Sequence, residues 1–171
     1  LNILIVEDSV DDAEILVAEL CHAGFIPQWQ RVETESDFLT ALKKRPDIVL
    51  ADYSMPQFNG LRAAELTRDS GLNIPFILIS GTVGEEIAVE AMKLGAADYF
   101  LKDRLARLGN SVHQALEQRR IWEKQRQTDA ALNLFRILMD QSSDGIEVSD
   151  PDTGRIVDVN NVTCVQHGYT R

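Results

Sequence analysis

Through residue 104 the chain alternates short apolar runs with amphipathic stretches. The runs are "LNILIVED" (1–8), "PQWQRVE" (27–33), "DIVLAD" (47–52), "PFILISG" (75–81) and "ADYFLKD" (97–103). Four of them are rich in Ile, Val or Leu with little polar alternation, the pattern of parallel strands buried on both faces. The second is more polar, with Trp29 and Val32 as its main apolar residues, and predicts an edge strand. Between the runs lie helical patterns. Asp11 to Ala23 carries Ile15, Leu16, Val17 and Leu20 on one broad face, and Gly24 stops it. Ser36 to Arg45 carries Phe38, Leu39 and Leu42, and Pro46 ends it. Leu61 to Asp69 follows Gly60 and closes at Gly71, and Glu85 to Leu94 carries Ile87, Ala91 and Met92 before Gly95. Strands alternating with helices in this way predict an α/β fold: a doubly wound, five-stranded parallel sheet with right-handed crossovers, covered on both faces.

A longer helical stretch begins near Leu105. Leu105, Leu108, Val112, Ala115, Leu116 and Trp122 form an apolar face; "EKQRQTD" (123–129) is wholly polar; Leu132, Leu134, Phe135, Ile137 and Leu138 then resume. Two readings compete: a docked helix, a loop and a second helix, or one continuous extended helix connecting two domains. No cap divides the stretch, which favours the connector. The seam is too broken for a regular coiled coil. After Asp144 the style changes. Ile146–Val148 and Ile156–Val159 flank the turn-rich "DPDTG" and predict a hairpin. The organisation read from these patterns is a first domain over 1–120, a connector helix over 121–140, and the truncated beginning of a second domain over 141–171. The chain opens on Leu1 and is read as a piece of a longer protein.

Composition narrows the function. Among 171 residues, 27 acidic against 17 basic side chains give a net charge of −10. Such a surface repels nucleic acid and anionic membrane, so neither is an expected partner. Two cysteines far apart, Cys21 and Cys164, make no disulfide framework and suit a reducing, cytoplasmic setting. No apolar run approaches the roughly 20 residues of a membrane span.

The candidate chemistry lies where the predicted strands end. In an open parallel sheet, ligands bind beyond the carboxyl ends of the strands, where strand order reverses. Strand one ends in Glu7 and Asp8, strand three in Asp52, strand four in Ser80 and strand five in Lys102. If strands one and three are neighbours, three carboxylates meet. At an effective dielectric near 20, two like charges about 4 Å apart repel by roughly 4 kcal/mol, so something positive belongs among them. A hard divalent cation with oxygen ligands meets the need, and Mg²⁺ (or Mn²⁺) commonly bridges carboxylates to phosphate. Lys102 adds an ammonium and Ser80 a hydroxyl. Together they suit a phosphoryl group accepted by a carboxylate as an acyl phosphate. Each residue alone has an ordinary explanation, as a turn former, first-turn acid or solvated lysine. Four such residue types at four strand ends outweigh these.

At this point the sequence resembles the receiver domains of two-component signalling, the phosphorylatable modules of response regulators. The resemblance covers residues 1 to about 120 and rests on "ILIVEDS" (3–9), "LADYSMPQFNG" (50–60), "FILISG" (76–81) and "AADYFLKD" (96–103) in this order and spacing. It implies a flavodoxin-like sheet in the order 2-1-3-4-5, with Asp52 as phospho-acceptor and Glu7 and Asp8 as the acidic pair holding Mg²⁺. It implies a metal contact from the Ser54 backbone carbonyl, Ser80 as switch hydroxyl, Lys102 as phosphoryl-binding ammonium and Tyr99 as aromatic rotamer switch. The implied partner is a sensor histidine kinase or phosphotransfer protein, and a homodimer through the last receiver helix and connector is expected. Two positions depart from the family pattern. Asp103 follows Lys102 where most members have proline, often after a cis peptide; before a non-proline residue that bond would cost about 2.5–4 kcal/mol, so another loop geometry is expected. The loop "SGTVGEE" (80–86) has Gly81 where alanine is common. Both resemble receivers joined to sensor domains rather than to DNA-binding domains.

The tail "LFRILMDQSSDGIEVSDPDTGRIVDVNN" resembles the opening of a PAS domain, a small α+β sensor fold, and "GYTR" (168–171) fits that family's next helix start. His22, His113 and His167 lack the surroundings of a phospho-donor histidine. The expected function is therefore a phospho-accepting module that is not itself an enzyme, with any kinase or cyclase output outside this chain. The alternative is a pseudo-receiver acting as an interaction or dimerisation module without phosphorylation. An aspartyl phosphatase is disfavoured by Ser54 where such enzymes usually carry a second Asp, and a flavin or nucleotide site by the acidic first loop "VEDSVDD".

Overall fold

The computed structural model describes residues 1–82 and 84–168. Five strands form one sheet: β1 (Asn2–Val6), β2 (Gln28–Val32), β3 (Ile48–Asp52), β4 (Phe76–Ser80) and β5 (Asp98–Leu101). Their order is β2-β1-β3-β4-β5 and every neighbouring pair is parallel. This is the expected order, and the chain reverses direction of travel across the sheet between β1 and β3. β3 and β4 are buried at every position. β2 lies at one edge, as expected, and is exposed at Gln28, Trp29 and Gln30; β5 lies at the other.

The period of two in a strand sorts the apolar residues into two cores. Leu4, Val6, Val49, Ala51, Phe76 and Leu78 face one side, packed with Phe38, Leu42, Ala63 and Ala91. These last come from α2 (Glu35–Leu42), α3 (Gly60–Asp69) and α4 (Glu85–Lys93). Ile3, Ile5, Ile48, Leu50, Ile77 and Ile79 face the other side, against Leu16, Leu20, Leu108 and Val112. Those belong to α1 (Val10–His22) and α5 (Leu108–Gln141). The uninterrupted apolar runs are thus explained by helices on both faces.

Helix ends follow local chemistry. Ser9, Thr34 and Asn59 cap α1, α2 and α3 by accepting the amides of Asp12, Asp37 and Arg62. Gly24, Gly71 and Gly95 all take positive φ, where a helix hands over to a loop. The end of α2 differs from the expectation. It stops at Leu42, and Arg45 adopts φ 56 just before Pro46. The apolar faces of three helices are also narrower than their sequences suggest: Ile15, Leu39 and Met92 are exposed. A 3-10 turn, Leu105–Arg107, precedes α5. Helix α5 then runs without a break for 34 residues, so the stretch is one long helix and not two joined by a loop.

The chain divides into two compact units, Leu1–Arg120 and Ile121–Arg171. In the second, the predicted hairpin forms from β6 (Glu147–Ser149) and β7 (Ile156–Val159), antiparallel, followed by α6 (Asn161–His167). Asp150 sets the hairpin turn by accepting the amides of Asp152 and Thr153, each at 2.9 Å. Asn160 ties the unit together. Its amide nitrogen donates to the carbonyls of Met139 and Asp144, and its oxygen accepts from the amides of Ile146 and Thr163. Beyond Gly168, the helix start expected at "GYTR" lies outside the described residues, as does Val83 of the loop after β4.

Candidate functional site

The carboxyl edge of the sheet brings together the predicted strand ends. The parallel register sets Val6 beside Ala51, Asp52 beside Ile79 and Ser80 beside Leu101, so the residue following each apolar run arrives at one rim. One carboxylate oxygen from each of Glu7, Asp8 and Asp52 falls within a 4.8 Å cluster. Glu7 and Asp52 are buried, at 1% and 4% exposure, and Asp8 is exposed.

Two buried carboxylates so close need hydrogen bonds and countercharge. Lys102, just past the end of β5, supplies both. Its Nζ donates to Glu7 Oε2 at 2.8 Å and to Asp52 Oδ2 at 3.1 Å. The remaining oxygens accept backbone amides: Glu7 Oε1 from Ser9 at 3.1 Å and Asp52 Oδ1 from Ser54 at 3.2 Å. Burial pushes the Glu7 carboxyl above its ordinary pKa, opposed in part by the Lys102 and Ser9 hydrogen bonds. Burial pulls the Lys102 ammonium the other way, but hydrogen bonds to Asp12, Glu7 and Asp52 outweigh it and hold that ammonium above its ordinary value.

The loop after β3 is pinned for its task. Met55 and Phe58 are buried, and the Phe58 ring packs on Phe38 with centroids 5.2 Å apart. Gly60 opens α3 directly against β3: a Cβ there would stand 2.7 Å from the Asp52 carbonyl oxygen and 2.3 Å from Leu78 Cδ1. Only glycine lets the helix come this near. No peptide among the described residues is cis, the one between Lys102 and Asp103 included.

Ser80 and Tyr99 sit close to the rim but do not touch the carboxylates. The buried Ser80 hydroxyl donates to the Thr82 carbonyl at 3.0 Å, and the Tyr99 hydroxyl donates to that same carbonyl, also at 3.0 Å. Ser54 meets Asp52 through its own amide.

Three further participants were not singled out from the sequence. Asp12, in the first turn of α1, accepts from Lys102 Nζ at 2.5 Å. The sequence carries no signal for this role, since an acid in a first helical turn has an ordinary local explanation. Arg31 on β2 donates to the carbonyl of Glu7 at 2.8 Å and pairs with Glu33; it buttresses the acidic loop from the edge strand. Thr82 contributes a backbone carbonyl, which residue type does not betray.

An open parallel sheet with buried carboxylates and a lysine at its switch point defines a class, the doubly wound α/β domains whose ligand sites lie at this edge. Comparison then gives the family. The response regulator receiver domain model matches residues 3–113, and the chain belongs to that family. It is 32% identical over 106 residues to the probable transcriptional regulatory protein SilR of Salmonella typhimurium, covering 60% of this chain and 44% of that protein. It is 31% identical over 137 residues to the regulatory protein AtoC of Escherichia coli, covering 77% of this chain and 29% of the relative. The chain thus spans less than half the length of these relatives. Among solved structures, it resembles the receiver domain of a signal transduction histidine kinase from Syntrophus aciditrophicus, with 29% identity and a TM-score of 0.58 over 68% of this chain and 90% of that one. The receiver domain of a modulated diguanylate cyclase from Desulfovibrio desulfuricans aligns with 27% identity and a TM-score of 0.59, over 70% of this chain and 96% of that one. Receiver domains bind Mg²⁺ at an acidic pocket, and Glu7, Asp8 and Asp52 form such a pocket here.

Proposed function

We propose that this receiver accepts a phosphoryl group on Asp52 from a phospho-histidine of a sensor histidine kinase or phosphotransfer protein. The observation that carries this is the Lys102 ammonium, 3.1 Å from Asp52 at the rim where Glu7 and Asp8 converge. A carboxylate oxygen of Asp52 attacks phosphorus, the bond from phosphorus to the donor imidazole nitrogen breaks, and its electron pair leaves with the imidazole. The product is an aspartyl phosphate. Little acid–base chemistry is needed; positioning and charge neutralisation suffice.

The donor set fits a hard divalent cation. One carboxylate oxygen from each of Glu7, Asp8 and Asp52 lies within 4.8 Å of the others, the hard oxygen donors that such an ion takes. Glu7, Asp8, Asp52 and the Ser54 carbonyl would hold Mg²⁺ or Mn²⁺, which would supply charge neutralisation at the phosphoryl oxygens. Lys102 binds another of those oxygens. Ser80 leaves the Thr82 carbonyl to donate to the phosphoryl group, which frees that carbonyl from one of its two hydroxyl donors and lets Tyr99 move with the loop.

The receiver comprises residues 1–120, 121–140 form a connector helix, and 141–171 open a PAS domain. The phosphorylated state passes along the connector to a PAS-linked output. A homodimer through the last receiver helix and connector, in the cytoplasm, completes the reading. No described helix is long and apolar enough to cross a membrane. Incubation with acetyl phosphate and Mg²⁺, followed by intact-mass measurement, tests it. A phosphate-mass adduct is expected in the wild type and lost in Asp52→Ala; an adduct that survives the substitution, or none at all, overturns the assignment.

A further inference from the structure

A lysine ammonium has three N–H donors, and in Lys102 all three go to carboxylates. Asp12 is the nearest at 2.5 Å, then Glu7 at 2.8 Å, then Asp52 at 3.1 Å. The three partners are not equivalent. Glu7 and Asp52 are buried and need the ammonium as countercharge. The Asp12 side chain is 37% exposed and has water available to it. Its place in α1 is set by the cap: Ser9 accepts the Asp12 amide at 3.2 Å. From that position a carboxylate often turns back toward the cap; this one reaches across to a lysine 90 residues later. On the same side of Lys102 lies a small cavity of about 60 Å³, lined by Glu7, Asp12, Ile15, Leu16, Lys102 and Leu105.

We propose that Asp12 is a positioning residue that holds the Lys102 ammonium on the α1 side of the site and competes with the incoming phosphoryl group for it. The inference rests on Asp52 being the acceptor. With Asp12 in place, three carboxylates share one ammonium. A phosphoryl group can gain a hydrogen bond from Lys102 only as the lysine loosens its hold on one of them, and Asp12 opposes that shift. Removing the Asp12 charge while keeping its shape frees the ammonium for the transferring group, whose charge is stabilised by a closer cation.

The experiment measures the rate constant for phosphorylation by acetyl phosphate at saturating Mg²⁺ for the wild type, Asp52→Ala, Asp12→Asn, Asp12→Glu and Glu14→Gln. Asp12→Asn is expected to react at least threefold faster than wild type, through a higher maximal rate at saturating acetyl phosphate. Asp12→Glu, which keeps the charge, falls between the two. Glu14→Gln removes the same unit charge from an exposed position of α1 and stays within twofold of wild type. A second readout needs neither metal nor phosphate: in the metal-free protein, the NMR signals of the Lys102 side-chain methylene next to Nζ shift and sharpen in Asp12→Asn. An Asp12→Asn rate equal to or below wild type, an equal acceleration by Glu14→Gln, or an unaltered Lys102 signal each overturns the proposal. If the wild type forms an adduct that Asp52→Ala lacks, those outcomes count against Asp12 alone. If the wild type forms none, the acceptor assignment falls and takes this inference with it.

Discussion

At the residue scale the site is governed by two close fits, one steric and one electrostatic. Gly60 stands where any side chain would enter the Asp52 carbonyl and Leu78. Gly60→Ala therefore forces α3 away from β3, and overpacking of this kind costs about 1–3 kcal/mol. A drop of that size in the free energy of urea unfolding is expected, together with slower phosphorylation. A stability within about 0.5 kcal/mol of wild type would show that the contact relaxes freely, given that surface changes fall in that range. Lys102 is the electrostatic fit, a cation bonded to Glu7 and Asp52, two of the clustered carboxylates offered to a metal. Lys102→Ala is therefore expected to tighten Mg²⁺ binding several-fold in calorimetry while slowing adduct formation. Weaker Mg²⁺ binding in that variant would mean that the lysine organises the carboxylates rather than competing for them. Asp52, Glu7 and Lys102 were legible in the sequence because strand ends are marked by the end of an apolar run. Asp12 was not, because an acid in a first helical turn already has a sufficient local explanation. Its contact depends on a fold-level meeting that no spacing encodes.

At the element scale, legibility follows how strongly local chemistry and burial agree. β3 and β4 were plain because both faces are covered, and α1, α3 and α4 each end two residues before a glycine of positive φ. The end of α2 was not, because "KKR" (43–45) is as good a helix former as what precedes it, and Arg45 takes a left-handed turn that its residue type disfavours. The loop after β4 was less legible: Ser80 and Tyr99 stood out by residue type, but the Thr82 main-chain oxygen that both hydroxyls donate to did not. In the second unit a single residue joins the elements. The buried Asn160 caps α6 and bonds to the main chain of α5, of the segment before β6, and of α6. Asn160→Ala strands several buried polar groups, each worth about 1–3 kcal/mol when left without a partner. The amides of β6, β7 and α6 should lose hydrogen-exchange protection in this variant while those of β1, β3 and β4 keep theirs. Loss of protection across both sets would mean that the two units unfold as one.

At the scale of the whole molecule, the long helix α5 poses the remaining question, what covers its apolar side chains beyond residue 120. In the first unit Leu108, Val112 and Ala115 are buried against the sheet. In the second, Ile121, Trp122, Leu132, Leu134, Phe135, Ile137 and Leu138 are all exposed. Five exposed large apolar side chains within residues 132–138 are the kind of cluster that marks an interaction site. An identical helix from a second copy would offer the same apolar length, so one two-fold contact would bury both sets at once. The acidic composition argues the same way against the obvious competitors, since a membrane surface or nucleic acid would meet a net charge of −10. Sedimentation at tens of micromolar is expected to show a species of twice the chain mass. Leu134→Glu with Leu138→Glu places two charges one turn apart on the same stripe and should return it to monomer without affecting the aspartyl phosphate on the first unit. A wild-type chain that stays monomeric across that concentration range would remove the dimer, and with it the simplest route by which a charge placed at Asp52 is read through α5.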